Sequence, residues 1–547
     1  MERNLGRRAA SEGFVEEKLL PLLEELVRDD TIGSPLRAAA LIAAARQSDS
    51  VDGRRTPRDE RLETLIREGL TSPSSNVREA SVLSLGLLGS AGASITLAEI
   101  ALDTEKGRAL VKDDRVPIRS RAMATYGLGL ATHNAESSAQ WAYAVQQLRA
   151  ILADKSADQV DVRTAAVLAM GLIPAETLSG DGGSDSRGLN ALANDLLEQL
   201  DDKRADRFVR NRIPTVLGRL AAGLDEETRA NALDTLIDSL SERSKLPTPA
   251  RRAAALALGQ IEDLEDAKQG KRRREGLTRA LKSKDAMVRR YAALSLARIG
   301  SRGSLDDKDA EKVADTLVRH LTRGRSADEP WTTLALGVFA HRRNAAGASD
   351  FEVSKTLEKT LSKSRSTDRA PAHALAAGLA GSDMAVAAMQ SRFEHSSGDA
   401  TRGWLGLAMG LAGETEALEY LRDAAVEAHQ HPDLRAELAL ARAMLSDKDL
   451  IPELLEQLDE CDCYNSTRGS ARALARVGDS RALGALLKLA RDTQRGERAR
   501  AEAVMALGWI ASGDDSPRST PLVVALDLVE PPDTLTEPTG FGVLDRL

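Results

Sequence analysis

The stretch Val288-Arg289-Arg290-Tyr291-Ala292-Ala293-Leu294-Ser295-Leu296 carries the pattern that decides the fold of this 547-residue chain. An arginine opens the pattern, a run of small and apolar residues follows, and Ala297 stands eight positions after Arg289. Ala, Leu and Arg are strong helix formers. The stretch therefore predicts a helix over residues 287–299, preceded by a turn with capping residues at 283–285 and by an earlier helix.

The pattern recurs along the whole chain. Successive small residues are 38 to 47 positions apart as far as residue 378, and 32 or 33 positions apart beyond it. Such a period predicts an all-α fold, an α-solenoid of about thirteen helix pairs. An arginine with Gly or Ala eight positions later occurs at Arg37, Arg78, Arg119, Arg163, Arg210, Arg251, Arg289, Arg402, Arg435 and Arg500. Three further units keep only the small residue, at Gly337, Gly378 and Ala475.

The composition supports an all-α fold and excludes other classes. Aromatic residues make up 3% of the chain, which is too few for large β-sheets. No run of about 18 apolar residues that could span a membrane is present. Residues 1–10 show no apolar core of a signal peptide, so we expect a cytoplasmic protein. The net charge of −8 is mild and is not typical of a nucleic-acid-binding protein.

The repeated units resemble HEAT repeats, whose second helix begins with Val-Arg and ends with Ala-Leu-Gly. Residues 288–296 are typical of that family, and the resemblance extends over residues 15–512. More narrowly, the chain resembles uncharacterised bacterial HEAT-repeat domain-containing proteins that end in Gly-x-Leu-Asp-x-Leu, here residues 542–547. The resemblance implies an armadillo-like superhelix, in which the first helix of each pair is convex and the second lines the concave side. It implies little about function.

Two regions are expected along the chain. Residues 15–512 form the solenoid, with longer units to about residue 380 and shorter units of 32–33 residues beyond it. Residues 513–547 are rich in proline and lose the helical pattern, which predicts an extended or disordered tail. Three polar segments do not interrupt the period and are interpreted as loops of one array: residues 48–58, 179–188 and 301–309.

The candidate binding residues lie on the second helices, five and nine positions after the recurrent arginine, on one helical face. These positions are mostly apolar, which favours a groove for an amphipathic helix or an extended peptide of a partner protein. Two alternatives are that neighbouring second helices bury this face, or that the chain's own tail fills it. The candidate groove residues are Leu83, Leu168, Arg219, Leu256, Leu294, Arg298, Leu334, Leu375, Leu407, Leu440, Met505 and Trp509, with Arg219, Arg298 and Trp509 as anchors.

The recurrent arginine is interpreted as a structural residue. The resemblance to HEAT proteins implies that it pairs with an acidic residue of the preceding turn or of a neighbouring unit. Asp285 before Arg289 fits that pattern in this sequence, as does Asp161 before Arg163.

The densest cluster of positive charge lies between residues 268 and 290. Ten positive charges against two negative ones there could bind phosphates, so a nucleic-acid-associated protein is the alternative function. The acidic segment 262–266 could neutralise the cluster, and no aromatic residues are interleaved for stacking on bases. The candidate residues of this basic cluster are Lys268, Lys271, Arg272, Arg273, Arg274, Arg279, Lys282, Lys284 and Arg290.

No motif for catalysis or for cofactor binding is recognised in the sequence. None of the seven histidines is followed by glutamate, which excludes the zinc-protease motif, and no Gly-x-Ser-x-Gly or phosphate-loop sequence is present. Cys461 and Cys463 are too few for a zinc site, and His429 and His431 are interpreted as part of a polar turn. We therefore expect no cofactor and a non-enzymatic scaffold or adaptor. An enzyme of the bilin-lyase type is the third alternative.

Overall fold

The regular elements of this computed structural model are helices throughout the residues that it describes, and they form thirteen consecutive pairs. This confirms the predicted all-α solenoid of HEAT-like helix pairs. The predicted tail at 513–547, together with Cys461, Cys463 and His429, lies outside the described part of the chain. The described residues are 10–49, 55–132, 135, 137–154, 159–174, 188–261, 267–303, 305–348, 351–364, 369–381, 385–428, 431–460 and 464–512.

The described residues fall into two compact units. The N-terminal unit comprises residues 10–261 and 507–512, and the C-terminal unit comprises residues 267–506. Pairs 1 to 6 belong to the first unit and pairs 7 to 12 to the second, while the last helix contributes residues to both. The single array over residues 15–512 stays a prediction.

The N-terminal unit contains six pairs, with one additional helix, Glu105–Val111, inside pair 3. In pair 1 the helical turns Glu12–Phe14 and Val15–Leu19 run directly into Leu20–Arg28. The first helices of pairs 2 to 6 are Pro57–Glu68, Ala91–Ala101, Ser138–Ala153, Leu189–Asp201 and Glu226–Ser239. The second helices of pairs 1 to 6 are Ser34–Ala45, Ser75–Leu88, Ile118–Ala131, Val160–Met170, Arg207–Leu220 and Thr248–Gln260.

The C-terminal unit contains the next helix pairs, and those beyond residue 380 are the shorter repeats that the sequence period indicates. The first helices of pairs 7 to 13 are Ala267–Ala280, Asp307–Arg323, Phe351–Lys363, Ala385–Glu394, Ala417–Glu427, Leu450–Glu460 and Leu483–Arg491. The second helices are Ala286–Gly300, Glu329–Ala345, Ala370–Leu379, Asp399–Ala412, Pro432–Met444, Tyr464–Val477 and Glu497–Ser512. Single 3-10 turns occur at Gly69–Thr71, Ala221–Gly223, Ser326–Asp328 and Ser480–Ala482.

Residues 288–296 lie within the second helix of pair 7, Ala286–Gly300, whose bounds are within one residue of those predicted. Asp285 is its N-cap, and the carboxylate accepts a hydrogen bond from the backbone N–H of Val288 at 2.9 Å. Such a cap satisfies one of the backbone donors that the first turn of a helix leaves open. The local sequence therefore specifies where this helix begins.

The repeated small residues are the places where neighbouring second helices touch. A Cβ added to Gly337 would lie 2.6 Å from the Cα of Ala376, and one added to Gly86 would lie 2.7 Å from the Cα of Gly127. These separations leave no room for a side chain, which is the physical reason for a glycine that lowers helix propensity. The interpretation of the repeated Gly as a site of close helix approach is confirmed.

The last turns of the final helix pack within the N-terminal unit through the same kind of contact. A Cβ added to Gly508 would lie 2.8 Å from the Cα of Ala43 on the second helix of pair 1. The side-chain amide of Gln47 donates a hydrogen bond to the carbonyl oxygen of Gly508 at 3.1 Å. Residues 507–512 therefore contact pair 1 as one second helix contacts the next.

In several pairs the recurrent arginine ties the second helix to the end of the preceding first helix. Arg37 Nε donates to the carbonyl of Val27 at 3.1 Å, and Arg500 Nε donates to that of Ala490 at 2.9 Å. Carbonyl groups at the C-terminus of a helix lack partners within the helix, and a guanidinium also interacts favourably with the helix dipole there. The expected structural role is borne out by these contacts. In these contacts the guanidinium donates hydrogen bonds to backbone carbonyl groups.

Candidate functional site

The predicted groove residues of the C-terminal unit line a partly exposed row on successive second helices. On the second helix of pair 7, the side chains of Arg290, Leu294 and Arg298 are half-buried, whereas most residues between them are buried. These three follow one another at a spacing of four, which places them on one helical face. The open stripe is defined here as the half-buried residues Leu294, Leu334, Leu375, Leu440 and Met505.

The equivalent positions of the N-terminal unit lie in the core. Leu83 is 0% exposed, Leu168 is 1% exposed and Leu256 is 7% exposed. On the second helix of pair 3, every residue from 120 to 131 is buried. The expectation that Leu83, Leu168 and Leu256 are available to a partner is therefore wrong, because side chains without exposed surface cannot form a contact. Leu407 of the C-terminal unit is likewise 7% exposed.

Arg219, one of the candidate anchors, is half-buried in the N-terminal unit. Its Nη1 atom is buried and has no hydrogen-bond partner in the described part of the chain, and the same holds for the hydroxyl of Tyr126. Burial lowers the pKa of the Arg219 guanidinium, and the nearby Tyr126 opposes that effect. Burial also raises the pKa of Tyr126, so its hydroxyl stays neutral and does not balance the charge.

The other two candidate anchors occupy different surroundings. Trp509 is half-buried within the N-terminal unit, and the guanidinium carbon of Arg46 lies 3.7 Å from the centroid of its ring. This cation–π contact already uses the face of the indole. Arg298 lies in the C-terminal unit beside the open stripe, and burial lowers the pKa of its guanidinium, as do the nearby Arg342 and Arg302.

Two tryptophans that the sequence pattern did not single out lie on second helices of the C-terminal unit. Trp404 is 49% exposed on the second helix of pair 10, and Trp331 is half-buried on that of pair 8. The Trp331 ring packs edge-on against Tyr291, with ring centroids 5.8 Å apart. Trp331 stands three positions before Leu334 and Trp404 stands three positions before Leu407, so each lies on the helical face of a candidate groove residue. Two of the four tryptophans of the chain share this offset, and the offset is the sequence signal that could have identified them.

The predicted basic cluster is only partly available to a ligand. The first helix of pair 7 and the turn that follows it carry six exposed cations: Lys268, Lys271, Arg272, Arg279, Lys282 and Lys284. Arg273 is buried, which corrects its assignment to a surface patch. Arg274 forms a 2.7 Å ion pair with Asp309, and Arg290 interacts with the carboxylate of Asp328. The acidic segment expected to neutralise the cluster lies outside the described residues.

The C-terminal unit also holds a buried ion-pair network centred on Asp447. Arg422 Nη2 lies 2.5 Å from one carboxylate oxygen and Arg442 Nε lies 2.7 Å from the other. Burial raises the pKa of Asp447, but the hydrogen bonds from Arg422 and Arg442 outweigh it, with further contributions from the Asp449 N–H and the charge of Arg442, and lower the pKa to about 2. The network joins pairs 11 and 12 and is structural.

Neither a metal cluster nor a membrane span is found in the described ranges. No group of three or more His, Cys, Asp or Glu side chains there is arranged to hold a metal ion. No helix in the same ranges combines the length and the apolar character needed to cross a bilayer.

Comparison with known proteins identifies the repeat. The family model described as "HEAT repeats" matches residues 424–508 and 451–536. The matched residues therefore contain HEAT repeats. No functionally curated protein matches the sequence.

Three solved structures show limited similarity to this chain. An engineered protein is 18% identical, with 89% of this chain and 98% of that chain covered and a TM-score of 0.28. Importin beta in an ammonium sulfate condition is 12% identical, with 94% and 76% covered and a TM-score of 0.38. Human deoxyhypusine hydroxylase in complex with glycerol is 17% identical, with 60% and 100% covered and a TM-score of 0.23. At these values they assign no activity to this chain.

Proposed function

We propose that this protein is a non-enzymatic scaffold or adaptor whose C-terminal unit binds an apolar segment of a partner protein along the open stripe. One observation carries the proposal: equivalent leucines are buried in the N-terminal unit, whereas all of those in the C-terminal unit except Leu407 are half-exposed. Leu83 and Leu168 are core residues, whereas Leu334 and Leu375 present part of their surface. Half-exposed leucines on three successive second helices, those of pairs 7 to 9, are a feature of an interaction surface.

The apolar character of this row suits a groove that binds a helix or a strand of a partner protein. The second helices of pairs 7 to 9 each present one half-buried leucine, so a partner segment lying across them would bury an apolar side chain at each of these helices. Trp404 adds a large exposed aromatic surface, and tryptophan is enriched among residues that dominate binding energy. Repeat solenoids bind partners along such extended surfaces. The N-terminal unit, in which the row is buried, is expected to be the supporting part.

The test selects displayed random peptides of about twelve residues, long enough to span several helices, against the full chain. We expect enrichment of peptides with large apolar residues at helical or alternating spacing. Binding of these peptides should weaken at least about tenfold in Trp404→Ala and in Leu334→Asp. The matched control is Val426→Asp, because Val426 is 69% exposed on a first helix away from the stripe.

Each variant must keep the helicity of the native chain, as measured by circular dichroism. If Leu334→Asp fails to fold, Trp404→Ala still decides, because a half-exposed side chain contributes little to the core. No enrichment, or equal weakening by Val426→Asp and Trp404→Ala, would contradict the proposal.

The six exposed cations on the first helix of pair 7 and in the turn after it favour nucleic-acid association as the second candidate function. Binding through these charges should weaken steeply with salt, because neutralised phosphates release counterions. The measurement is the affinity for duplex and single-stranded oligonucleotides over a range of salt concentrations, with Lys271→Glu and Lys282→Glu as variants. Salt-independent binding, or none, would exclude this candidate.

A further inference from the structure

Exposed cations follow one edge of the C-terminal unit, where the first helix of each pair turns into the second. Each of pairs 7, 8 and 9 contributes two of them, at or near the C-terminal end of its first helix. The basic rim is defined as Arg279, Lys282, Arg323, Arg325, Lys359 and Lys363, all of which are exposed. Packed helices lie about 10 Å apart, so three pairs spread these charges over about 20 Å.

Ion pairs hold the three turns of this edge side by side. Arg289 donates to the carbonyl oxygen of Ser283 in the turn of pair 7, and its Nε atom lies 2.5 Å from the carboxylate of Asp328 in the turn of pair 8. Glu329, the next residue, pairs at 2.5 Å with Arg369 at the start of the second helix of pair 9. The rim cations therefore lie on adjacent turns and form one surface.

Few carboxylates share this edge. The turns and the helix ends beside them are residues 279–288, 319–328 and 359–364, all of which the structure describes. Their two acidic residues are Asp285, which caps a helix, and Asp328, which is 1% exposed in its ion pair. Glu275, Asp315 and Glu358 precede these segments on the first helices, further from the edge. The exposed charge of the three turns is therefore positive.

Stabilisation of helix ends does not account for the rim. A cation in the last turn of a helix interacts favourably with the helix dipole, and this benefit is available to every first helix. The first helices of pairs 5, 6, 11 and 12 nevertheless have no basic residue in their last turn. Those of pairs 7, 8 and 9 have one there, with a second cation nearby. The concentration of charge on three consecutive pairs indicates a surface for an anionic partner.

We propose that the basic rim binds the phosphate backbone of double-stranded nucleic acid, independently of base sequence. The inference rests on the second candidate function, and it places the contact on three adjacent turns instead of on the first helix of pair 7. A duplex carries one negative charge about every 1.7 Å along its axis, so about 20 Å of duplex offers about twelve phosphates to the six cations.

The chemistry of the rim favours a duplex over other polyanions. No Trp, Tyr or Phe occurs in the segments 279–288, 319–328 and 359–364, so the bases of a single strand would find no aromatic side chain to stack on. A flexible acidic peptide would lose conformational entropy in order to reach three turns at once. A duplex is already straight and charged along its length, which matches cations that are held on adjacent turns of packed helices.

The experiment measures the affinity of the full chain for a DNA duplex of about 20 base pairs by fluorescence anisotropy over a range of salt concentrations. The rim variant is Arg323→Gln with Lys363→Gln. It should bind at least about tenfold more weakly near 0.1 M salt, and its salt slope should be smaller by about 1.8, because each phosphate contact contributes about 0.9. A duplex RNA of the same length should show the same losses, since the contacts are to phosphates.

The matched control also loses two exposed charges. Lys268→Gln with Lys271→Gln changes the first half of the first helix of pair 7, away from the rim. Screening by salt should limit its effect to less than about threefold. All substituted side chains are exposed, so the variants should fold, as checked by circular dichroism. Arg323→Lys with Lys363→Arg keeps both charges and should bind as the native chain does.

The outcomes separate the rim from the second candidate function. Weaker binding in the control but not in the rim variant would overturn the rim and leave that function standing. No binding of either duplex would overturn both. Tighter binding of a thymidine oligonucleotide, polyglutamate or phosphatidylserine vesicles, lost in the rim variant, would assign the rim to that polyanion and overturn the duplex. Weak binding by the variant that keeps both charges would contradict a contact that depends on charge.

Discussion

Arg289 and Asp328 form a buried two-point ion pair between pairs 7 and 8. Arg289 Nε lies 2.5 Å from one carboxylate oxygen of Asp328, and Nη2 lies 3.1 Å from the other. The two side chains are 4% and 2% exposed. Arg289 Nη1 also donates to the carbonyl of Ser283 in the preceding turn. The recurrent arginine of this pair therefore links its own turn to the next repeat, while Asp285 caps the helix.

Removal of the carboxylate from this pair should destabilise the C-terminal unit strongly. Asp328→Ala leaves the Arg289 guanidinium buried without its counter-ion, and breaking such a pair costs about 3–5 kcal/mol. The free energy of unfolding is measured by urea titration, with the fluorescence of Trp331 as the probe. Asp459→Ala is the control, because its 2.9 Å pair with Lys488 is largely exposed and should contribute less than about 1 kcal/mol. Equal effects of the two substitutions would contradict the structural role of Asp328.

The stability of the Asp447 network should depend on pH. The pKa of Asp447 is about 2 in the folded protein, below its ordinary value of 3.8, so the folded state favours the carboxylate. This contribution is complete above about pH 4 and is lost as the pH falls towards 2. The difference in unfolding free energy between the native chain and Asp447→Asn should therefore shrink by about 2 kcal/mol over that interval.

Urea titrations of both chains at several pH values measure this difference. Asp449→Asn is the control, because the Asp449 side chain is 75% exposed, and its difference from the native chain should vary little with pH. A difference that is constant from pH 6 to 2 for Asp447→Asn would show that its carboxylate does not have the lowered pKa.

A methyl group at the contact between second helices should not be tolerated. In Gly337→Ala the new Cβ would meet the Cα of Ala376 at 2.6 Å, so the helices must separate, at a cost of about 1–3 kcal/mol. Gly484→Ala is the matched control on a first helix, because a Cβ there meets no atom within 4 Å. That substitution should raise stability by up to about 1 kcal/mol through helix propensity. Thermal unfolding measures both, and the same sign for the two would refute the close contact.

Removal of the hydroxyl group from two tyrosines should change the stability of the protein in opposite directions. The Tyr126 hydroxyl is fully buried without a hydrogen-bond partner among the described residues, so Tyr126→Phe should stabilise the protein by about 1 kcal/mol. The Tyr420 hydroxyl donates to the carbonyl of Gln390 at 3.3 Å, so Tyr420→Phe should destabilise it by a similar amount. Unfolding midpoints in urea provide the measurement. A loss of stability in Tyr126→Phe would reveal a partner for that hydroxyl.

Most of the repeat architecture was predictable, because it is encoded over short distances in the chain. The helix over Ala286–Gly300 follows from a run of helix formers behind an aspartate cap. The contact at Gly337 follows from the recurrence of a residue that helix propensity disfavours. The sequence predicted less well which binding residues are exposed. Leu83 and Leu334 occupy the same position in their repeats, yet one is buried and the other is half-exposed.

The amino-acid pattern was enough to establish the number of helix pairs, the position of the small residues and the place of the recurrent arginine. These features depend on propensity, capping and a period of about 40 residues, all of which are visible along one chain. The exposure of Trp404, the burial of Arg273 and the choice of Asp328 as partner of Arg289 depend on three-dimensional packing. The physical reason is that burial and ion pairing are set by which surfaces meet, and residues about 40 positions apart meet here through packing that no local pattern records.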